Sequence, residues 1–362
     1  MMISKQDTNL SIKAFLLKYK PRIEAEIEKY IPRKASQEWI ENALGKTMYE
    51  VDLDAYTAGV NVPVWDLLDR GGKRLRPLIT CICAEAVGGK WEDGMKVAPM
   101  VEIIHNGTLM QDDVEDDSKA RRGEPCTHHK FGIDTAVNTG TLMYFWPLAK
   151  ILTDEYALGD EKRLTIYDLY ATKLLRVCSG QAWDIAWHQG GFTPSEGQYL
   201  NMCLSKTGVL TEFACQLGAI MGNATQEQYD VLGKYGQFVG VGFQLQDDIL
   251  ELTEAAFKEG KGSIGGDIHE GKRTLIVLRT LDVAEANDKK RLVDILDSHT
   301  EKEQDIHTAL DIINKYDGIP YAKRKAAALV AQAWQEVDAV LPNSNAKTML
   351  HKITAYLTDR KI

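Results

Sequence analysis

Apolar residues recur three and four positions apart along most of this chain, and the strict alternation of a half-buried strand is nearly absent. "IKAFLLKYKPRIEAEIEKYI" opens as an amphipathic helix expected to break or bend at Pro21. The pattern continues through "RPLITCICAEAV", "MKVAPMVEIIHNGTLMQDDVEDD", "VNTGTLMYFWPLAKIL" and "RLTIYDLYATKLLRVCSGQAWDIAWH", and on to "YAKRKAAALVAQAWQEVDAVL" near the end. Breaks such as "VGGKWEDG", "RRGEPCTHHKFG" and "KEGKGSIGGD" are rich in Gly, Pro, Asn or Ser, and none has the length of an interdomain linker. The expectation is one large all-α domain over residues 1–362. Segments that are apolar nearly all round, "LMYFWPLA" and "FVGVGFQLQ", belong in the middle of a helical bundle rather than on its surface.

Acidic residues outnumber basic ones, 52 to 43, for a net charge of −9, which argues against a nucleic-acid backbone as main partner. An anionic substrate would need a local basic pocket or bridging cations. The six cysteines are scattered without a CxxC pair, and read as reduced core residues. The opening "MMISKQDTNL" lacks a signal-peptide core and no window has the length of a membrane span. A cytoplasmic protein is expected.

"QDDVEDDS" places five carboxylates between positions 112 and 117. Such runs are usually solvated surface. On a helix, however, Asp112 aligns with Asp116 and Asp113 with Asp117, and each like-charged pair destabilises the helix by roughly 0.2–0.5 kcal/mol. The run also ends an apolar helix, where the macrodipole disfavours negative charge. A hard divalent cation would turn that liability into binding energy. "FQLQDDILE" repeats the arrangement, with Asp247 and Glu251 four apart and Asp248 adjacent. Two such motifs on central helices suggest facing carboxylate clusters that hold a diphosphate through Mg²⁺. Basic residues lie near Gly-rich turns: Lys73, Arg74 and Arg76 in "GGKRLRP", Arg121 and Arg122, Lys206 in "SKTG", and Lys272 in "EGKRT". One set beside metals and one apart would suit two anionic substrates. His105 precedes Asp112 by two helical turns and shares its face, placing its ring to donate to a diphosphate oxygen; His128 is read as structural.

In this order, "GGKRLRP", "HNGTLMQDDVEDDSKARRGEP", "GQAWDI", "KTG", "FQLQDD" and "GGDIHEGKRT" resemble the trans-type isoprenyl diphosphate synthases, head-to-tail prenyltransferases, from Gly71 to Thr274. The block around the first acidic motif looks most like the geranylgeranyl diphosphate synthases of archaea and eukaryotes. The resemblance implies a bundle of antiparallel helices with a deep central cavity, in a homodimer. It implies N-terminal helices over about residues 10–60, catalytic motifs over 71–274 and further helices over 275–362. It further implies that Asp112, Asp113, Asp116 and Asp247, supported by Asp248, hold about three Mg²⁺ ions against an allylic diphosphate. Arg121, Lys206 and Lys272 would contact that diphosphate, and Lys73, Arg76, His105 and Arg122 would bind isopentenyl diphosphate. Thr207 and Gln244 would present oxygen dipoles to a carbocation, with Gln181 and Asp184 in a "GQxxD" motif nearby. Two features depart from the pattern. Glu251 stands where a third aspartate is usual, and a loop one residue longer leaves Lys261 an approximate match to the family's lysine.

The expected reaction is ionisation of the allylic C–O bond, attack by the double bond of isopentenyl diphosphate, and proton loss to the departing diphosphate, in a site that excludes water. Gly107 and Thr108, five and four residues before the first aspartate, are small, which argues against a fifteen-carbon stop there. The expected product is C20, with C25 or longer, or else C15, as the alternatives. Tyr144, Phe145 and Trp146 read as core packing, or else as a deeper cavity floor. A class I terpene cyclase would need neither "GGKRLRP" nor two acidic motifs. A non-catalytic partner subunit would not need the intact first motif and Lys206.

Overall fold

The computed structural model describes residues 3–252 and 265–358. It is 77% helical, and the extended pairing among the described residues is one short hairpin, Ala120–Arg121 against Glu124–Pro125. The longer helices are α1 (Ile12–Tyr30), α2 (Leu75–Ala86), α3 (Trp91–Glu115), α4 (Ile133–Phe145), α5 (Asp160–His188), α6 (Glu196–Cys203), α7 (Val209–Met221) and α8 (Gln226–Glu251). They continue with α9 (Leu275–Val283), α10 (Ala286–Asp297), α11 (Glu303–Lys315), α12 (Gly318–Val340) and α13 (Asn345–Thr358). Among the described residues no helix is long and apolar enough to cross a membrane.

The chain divides into two compact units. The first holds residues 3–172, 213–232 and 340–350. Its α1 begins at Ser11, whose hydroxyl accepts from the Ala14 N–H, and of the two outcomes expected at Pro21, a break or a bend, the break does not occur. The buried face of Phe15, Tyr19, Ile23, Ile27 and Tyr30 outweighs the hydrogen bond that proline removes. Helix α3 packs between α2 and α4 and buries residues on every side, including the consecutive Val97, Ala98, Pro99 and Met100. Trp146 is core packing: its indole N–H donates to the Tyr30 carbonyl, and its ring lies 4.2 Å from that of Trp39. Phe145, by contrast, is exposed.

The second unit holds Lys173–Glu212, the described part of Gly233–Ala339, and residues 351–358. Leu245 and Ile249 of α8 pack with Leu275, Ile276 and Leu281 of α9, with Leu292 and Ile295 of α10, and with Ala322 and Ala326 of α12. Burial of each such Leu or Ile side chain contributes about 1.5–3 kcal/mol. Leu245 and Ile249 bracket Asp247 and Asp248, so the same packing fixes the second acidic motif. Five cysteines are buried and Cys178 is exposed, a departure from the all-core reading.

Candidate active site

In the first unit, Asp112 and Asp113 lie on the last turn of α3 and Asp116 is its C-cap. The helix stops because Asp117 turns left-handed, with φ +49°, while Ser118 N–H reaches back to the Asp113 carbonyl. The hairpin that follows returns Arg121 to the motif. Its Nε donates to Asp113 Oδ1 at 2.8 Å, its Nη2 bonds the same oxygen, and Asp112 Oδ2 lies 3.6 Å away. Burial disfavours the Arg121 cation, but the Asp113 charge outweighs this and raises the guanidinium above its ordinary pKa. Asp113 is fully buried, and its Oδ2 accepts no hydrogen bond.

Arg122 ties the hairpin to the "GGKRLRP" loop by donating to the Gly71 carbonyl at 2.8 Å. That loop does not offer all three of its cations. Arg74, read from the sequence as part of an anion site, is buried in a left-handed conformation (φ 51°). It donates to Glu102 Oε1 at 2.9 Å and to the Leu68 carbonyl at 2.6 Å. Asn106 donates to the same Glu102 oxygen. The Arg74–Glu102 pair therefore anchors the loop to α3, while Lys73 is exposed and Arg76 partly so. His105 keeps part of its surface exposed, yet burial and the charges of Arg76, Arg122, Arg121 and Arg74 hold it well below its ordinary pKa. Its imidazole is neutral at pH 7, able to donate one hydrogen bond.

In the second unit, "SKTG" forms a π-helical turn, Leu204–Gly208, between α6 and α7. Such turns re-aim side chains and recur at functional sites. Lys206 Nζ donates to Asp184 Oδ2 at 2.6 Å. Thr207 Oγ1 donates to Gln244 Oε1 at 2.7 Å, and Gln244 Nε2 passes the chain on to Asp248 Oδ1 at 2.8 Å. The hydroxyl of Tyr199 donates to Asp248 Oδ2. Gly180 permits this approach: a Cβ there would sit 2.4 Å from the Lys206 amide nitrogen. Gln181 follows on α5 and Asp247 is partly exposed. Lys272 pairs with Glu270 and lies 3.8 Å from Asp267. Lys261 falls outside the described residues.

Burial raises the Asp248 carboxyl to about 6, against the lowering effect of its bonds from Tyr199 and Gln244. Asp267 is raised well above the ordinary carboxylate range by burial, more than Lys272 can offset, with Asp248, Glu270 and Glu251 adding to the rise. Asp267 Oδ2 is also buried without a hydrogen bond. These donors are hard carboxylate oxygens, two of them buried and unsatisfied, and they suit a hard dication such as Mg²⁺.

Residues 58–313 match the polyprenyl synthetase family. The chain belongs to that family. A short chain isoprenyl diphosphate synthase of Methanocaldococcus jannaschii is 34% identical over 279 residues, 77% of this chain and 81% of that protein. A geranylgeranyl diphosphate synthase of Methanosarcina mazei is 32% identical over 299 residues, 82% of this chain and 88% of that protein. Among solved structures, the geranylgeranyl pyrophosphate synthetase of Pyrococcus horikoshii superposes with a TM-score of 0.83 at 27% identity, covering 97% of this chain and 98% of that one. The family comprises metal-dependent prenyltransferases that use isopentenyl and allylic diphosphates.

Within each unit the structure brings together most of the residues singled out from sequence. Gly107 has a more constrained setting than expected: a Cβ there would meet Met143 Cβ at 2.9 Å and the Gly140 carbonyl at 3.0 Å. It allows α3 and α4 to cross closely. Thr108 donates its hydroxyl to the His105 carbonyl at 2.7 Å. Tyr199, Asp267, Glu270 and Glu102 were not singled out. Asp267 and Glu270 stood inside the quoted "GGDIHEGKRT", where two acids beside a lysine were the available signal.

Proposed function

We propose that this protein catalyses head-to-tail condensation of isopentenyl diphosphate with an allylic diphosphate, giving a trans-prenyl diphosphate of twenty carbons, geranylgeranyl diphosphate. The observation that supports this best is that each unit ties its acidic motif to a segment bearing a basic residue: Asp113 directly to Arg121, and Asp248 through Gln244 to Thr207, the neighbour of Lys206.

Asp112, Asp113, Asp116 and Asp247 hold Mg²⁺, with Asp248 in support, and Arg121, Lys206 and Lys272 bind the allylic diphosphate. Bound Mg²⁺ supplies charge neutralisation for the leaving diphosphate. Lys73, Arg76 and Arg122 bind isopentenyl diphosphate, and neutral His105 donates to one of its oxygens. Thr207 and Gln244 turn their oxygen dipoles toward the developing carbocation. No side chain is assigned as a strong base, because the departing diphosphate takes the proton. The small residues Gly107 and Thr108 favour a product longer than C15. We place the enzyme in the cytoplasm as a homodimer.

The test is chromatographic sizing of products made from C5, C10 and C15 allylic primers with isopentenyl diphosphate and Mg²⁺. A dominant C20 product is expected. A dominant C25 or C15 product would overturn the chain-length assignment. Hydrocarbon release without isopentenyl diphosphate, or no product from any primer, would overturn the reaction.

A further inference from the structure

His128, read from the sequence as structural, sits in a setting that a purely structural histidine does not require. It is 8% exposed, yet neither ring nitrogen makes a hydrogen bond. A buried polar group in that state is destabilising unless a partner satisfies it. Its ring lies 4.1 Å, centroid to centroid, from that of His129, its exposed neighbour on the short helix Thr127–Phe131. The carboxylate of Asp117, on the left-handed turn that ends α3, completes a group whose ligand atoms all lie within 4.8 Å of one another.

We propose that Asp117, His128 and His129 form a second metal site, for a transition-metal dication of the Zn²⁺ class, which clamps the arginine-bearing hairpin at its base. Two imidazole nitrogens and one carboxylate oxygen suit Zn²⁺, Co²⁺ or Ni²⁺, whereas the all-carboxylate motifs suit Mg²⁺. Bonds of roughly 2.0–2.2 Å to each donor require the three to draw together slightly. His129 and Asp117 are exposed and have room to do so. Asp117 must release Lys119, 2.5 Å away, but both side chains are well exposed and such surface pairs contribute little. Burial and the neighbouring His129 hold His128 below its ordinary pKa, which keeps the imidazole in the neutral form that ligates. The ion would join the end of α3 to the residues just past the hairpin. The enclosed segment carries Arg121 and Arg122, so their placement would be fixed from below as well as by Asp113 and Gly71.

The site is tested on the full-length, metal-stripped protein, independently of prenyl transfer. Co²⁺ is titrated in the presence of excess Mg²⁺, and its visible absorption is followed. The expected result is an intensified visible band that saturates at one equivalent in the wild type and in Asp112→Asn. It is lost in His129→Ala and shifted to at least tenfold higher Co²⁺ in Asp117→Asn. His129 is exposed, so its variant tests ligation without emptying the core. Zn²⁺ should raise the melting temperature of the wild type but not of His129→Ala. Absorption of the hydrated ion alone in the wild type, or an unchanged titration in His129→Ala, would overturn the proposal.

Discussion

Replacing Glu102 alone by leucine would leave the Arg74 guanidinium in the core, where its side chain is 1% exposed. What remains to it is the Leu68 carbonyl at 2.6 Å and Glu24 at 3.3 Å, a carboxylate that is itself 35% exposed. Breaking a buried pair by removing one partner costs about 3–5 kcal/mol, and the residual Glu24 contact places Glu102→Leu near the lower end. Replacing Arg74 alone by methionine leaves Glu102 with the Asn106 amide and the neighbouring Arg122 charge, and a loss at the lower end of that range is expected. The double variant Arg74→Met/Glu102→Leu removes both charges together and should come back to within about 1 kcal/mol of the wild type. Urea unfolding followed by tryptophan fluorescence and far-ultraviolet dichroism measures all four corners of the cycle. Because Lys73 and Arg76 flank Arg74, the singles should also raise KM for isopentenyl diphosphate more than they lower kcat. If the double variant lost the sum of the two single losses, with coupling below about 0.5 kcal/mol, the pair would not anchor the loop.

Asp112→Ala should cut turnover by about a hundredfold or more while moving the melting temperature little, since Asp112 is partly exposed and its Arg121 contact is 3.6 Å. Chelation of the metal should have the same effect, and full activity in either case would refute the ligand role. Asp248→Asn should stabilise the metal-free protein at pH 8 and make no difference at pH 4. The folded carboxyl is raised to about 6 from its ordinary 3.8, so the stability of its neutral form is complete below about pH 4 and lost as pH rises through 6. Equal melting temperatures for the two proteins at pH 8 would contradict that burial penalty. Gly107→Ala gains about 1 kcal/mol of helix propensity but forces a 2.9 Å contact with Met143 that costs about 1–3 kcal/mol. A net loss of roughly 1 kcal/mol is therefore expected in urea unfolding, and a net gain would show that the crossing can open.

The helical class was legible because it rests on periodicity, and the acidic motifs were legible because i, i+4 spacing is a local property. What escaped was set by partners far apart in the chain. Arg74 stood among the loop's three basic residues without a role of its own, and only the fold brings Glu102 beside it. At Pro21 a break stayed open beside a bend, because local sequence shows the missing donor but not the buried face that compensates for it. The π-helical turn at Lys206 has no periodic signature, and it depends on Gly180 leaving room for the backbone. Gly107 was read for its small volume alone. Its close approach to Gly140 depends on how α3 and α4 cross, which a single sequence does not display.

The two acidic motifs share a finer rule. Successive residues on a helix diverge by about 100°, so a DD pair cannot aim both side chains the same way. In the first unit Asp113 is the buried member, held through one oxygen by Arg121, while Asp112 keeps part of its surface. In the second, Asp248 is the buried member, held by Tyr199 and Gln244, while Asp247 keeps part of its surface. The protein thus buries one aspartate of each pair and leaves its neighbour partly exposed. It follows that Asp112 and Asp247 should govern metal affinity most directly, that Asp113 should ligate from a position fixed by Arg121, and that Asp248 should act mainly by fixing how Asp247 is presented. Loss of Tyr199, which touches no predicted ligand except Asp248, should then weaken Mg²⁺ binding while sparing the carboxylates themselves. Tyr199→Phe tests this through the Mg²⁺ concentration needed for half-maximal turnover. A rise of several-fold is expected with the maximal rate less affected, and an unchanged Mg²⁺ requirement would refute the division of roles.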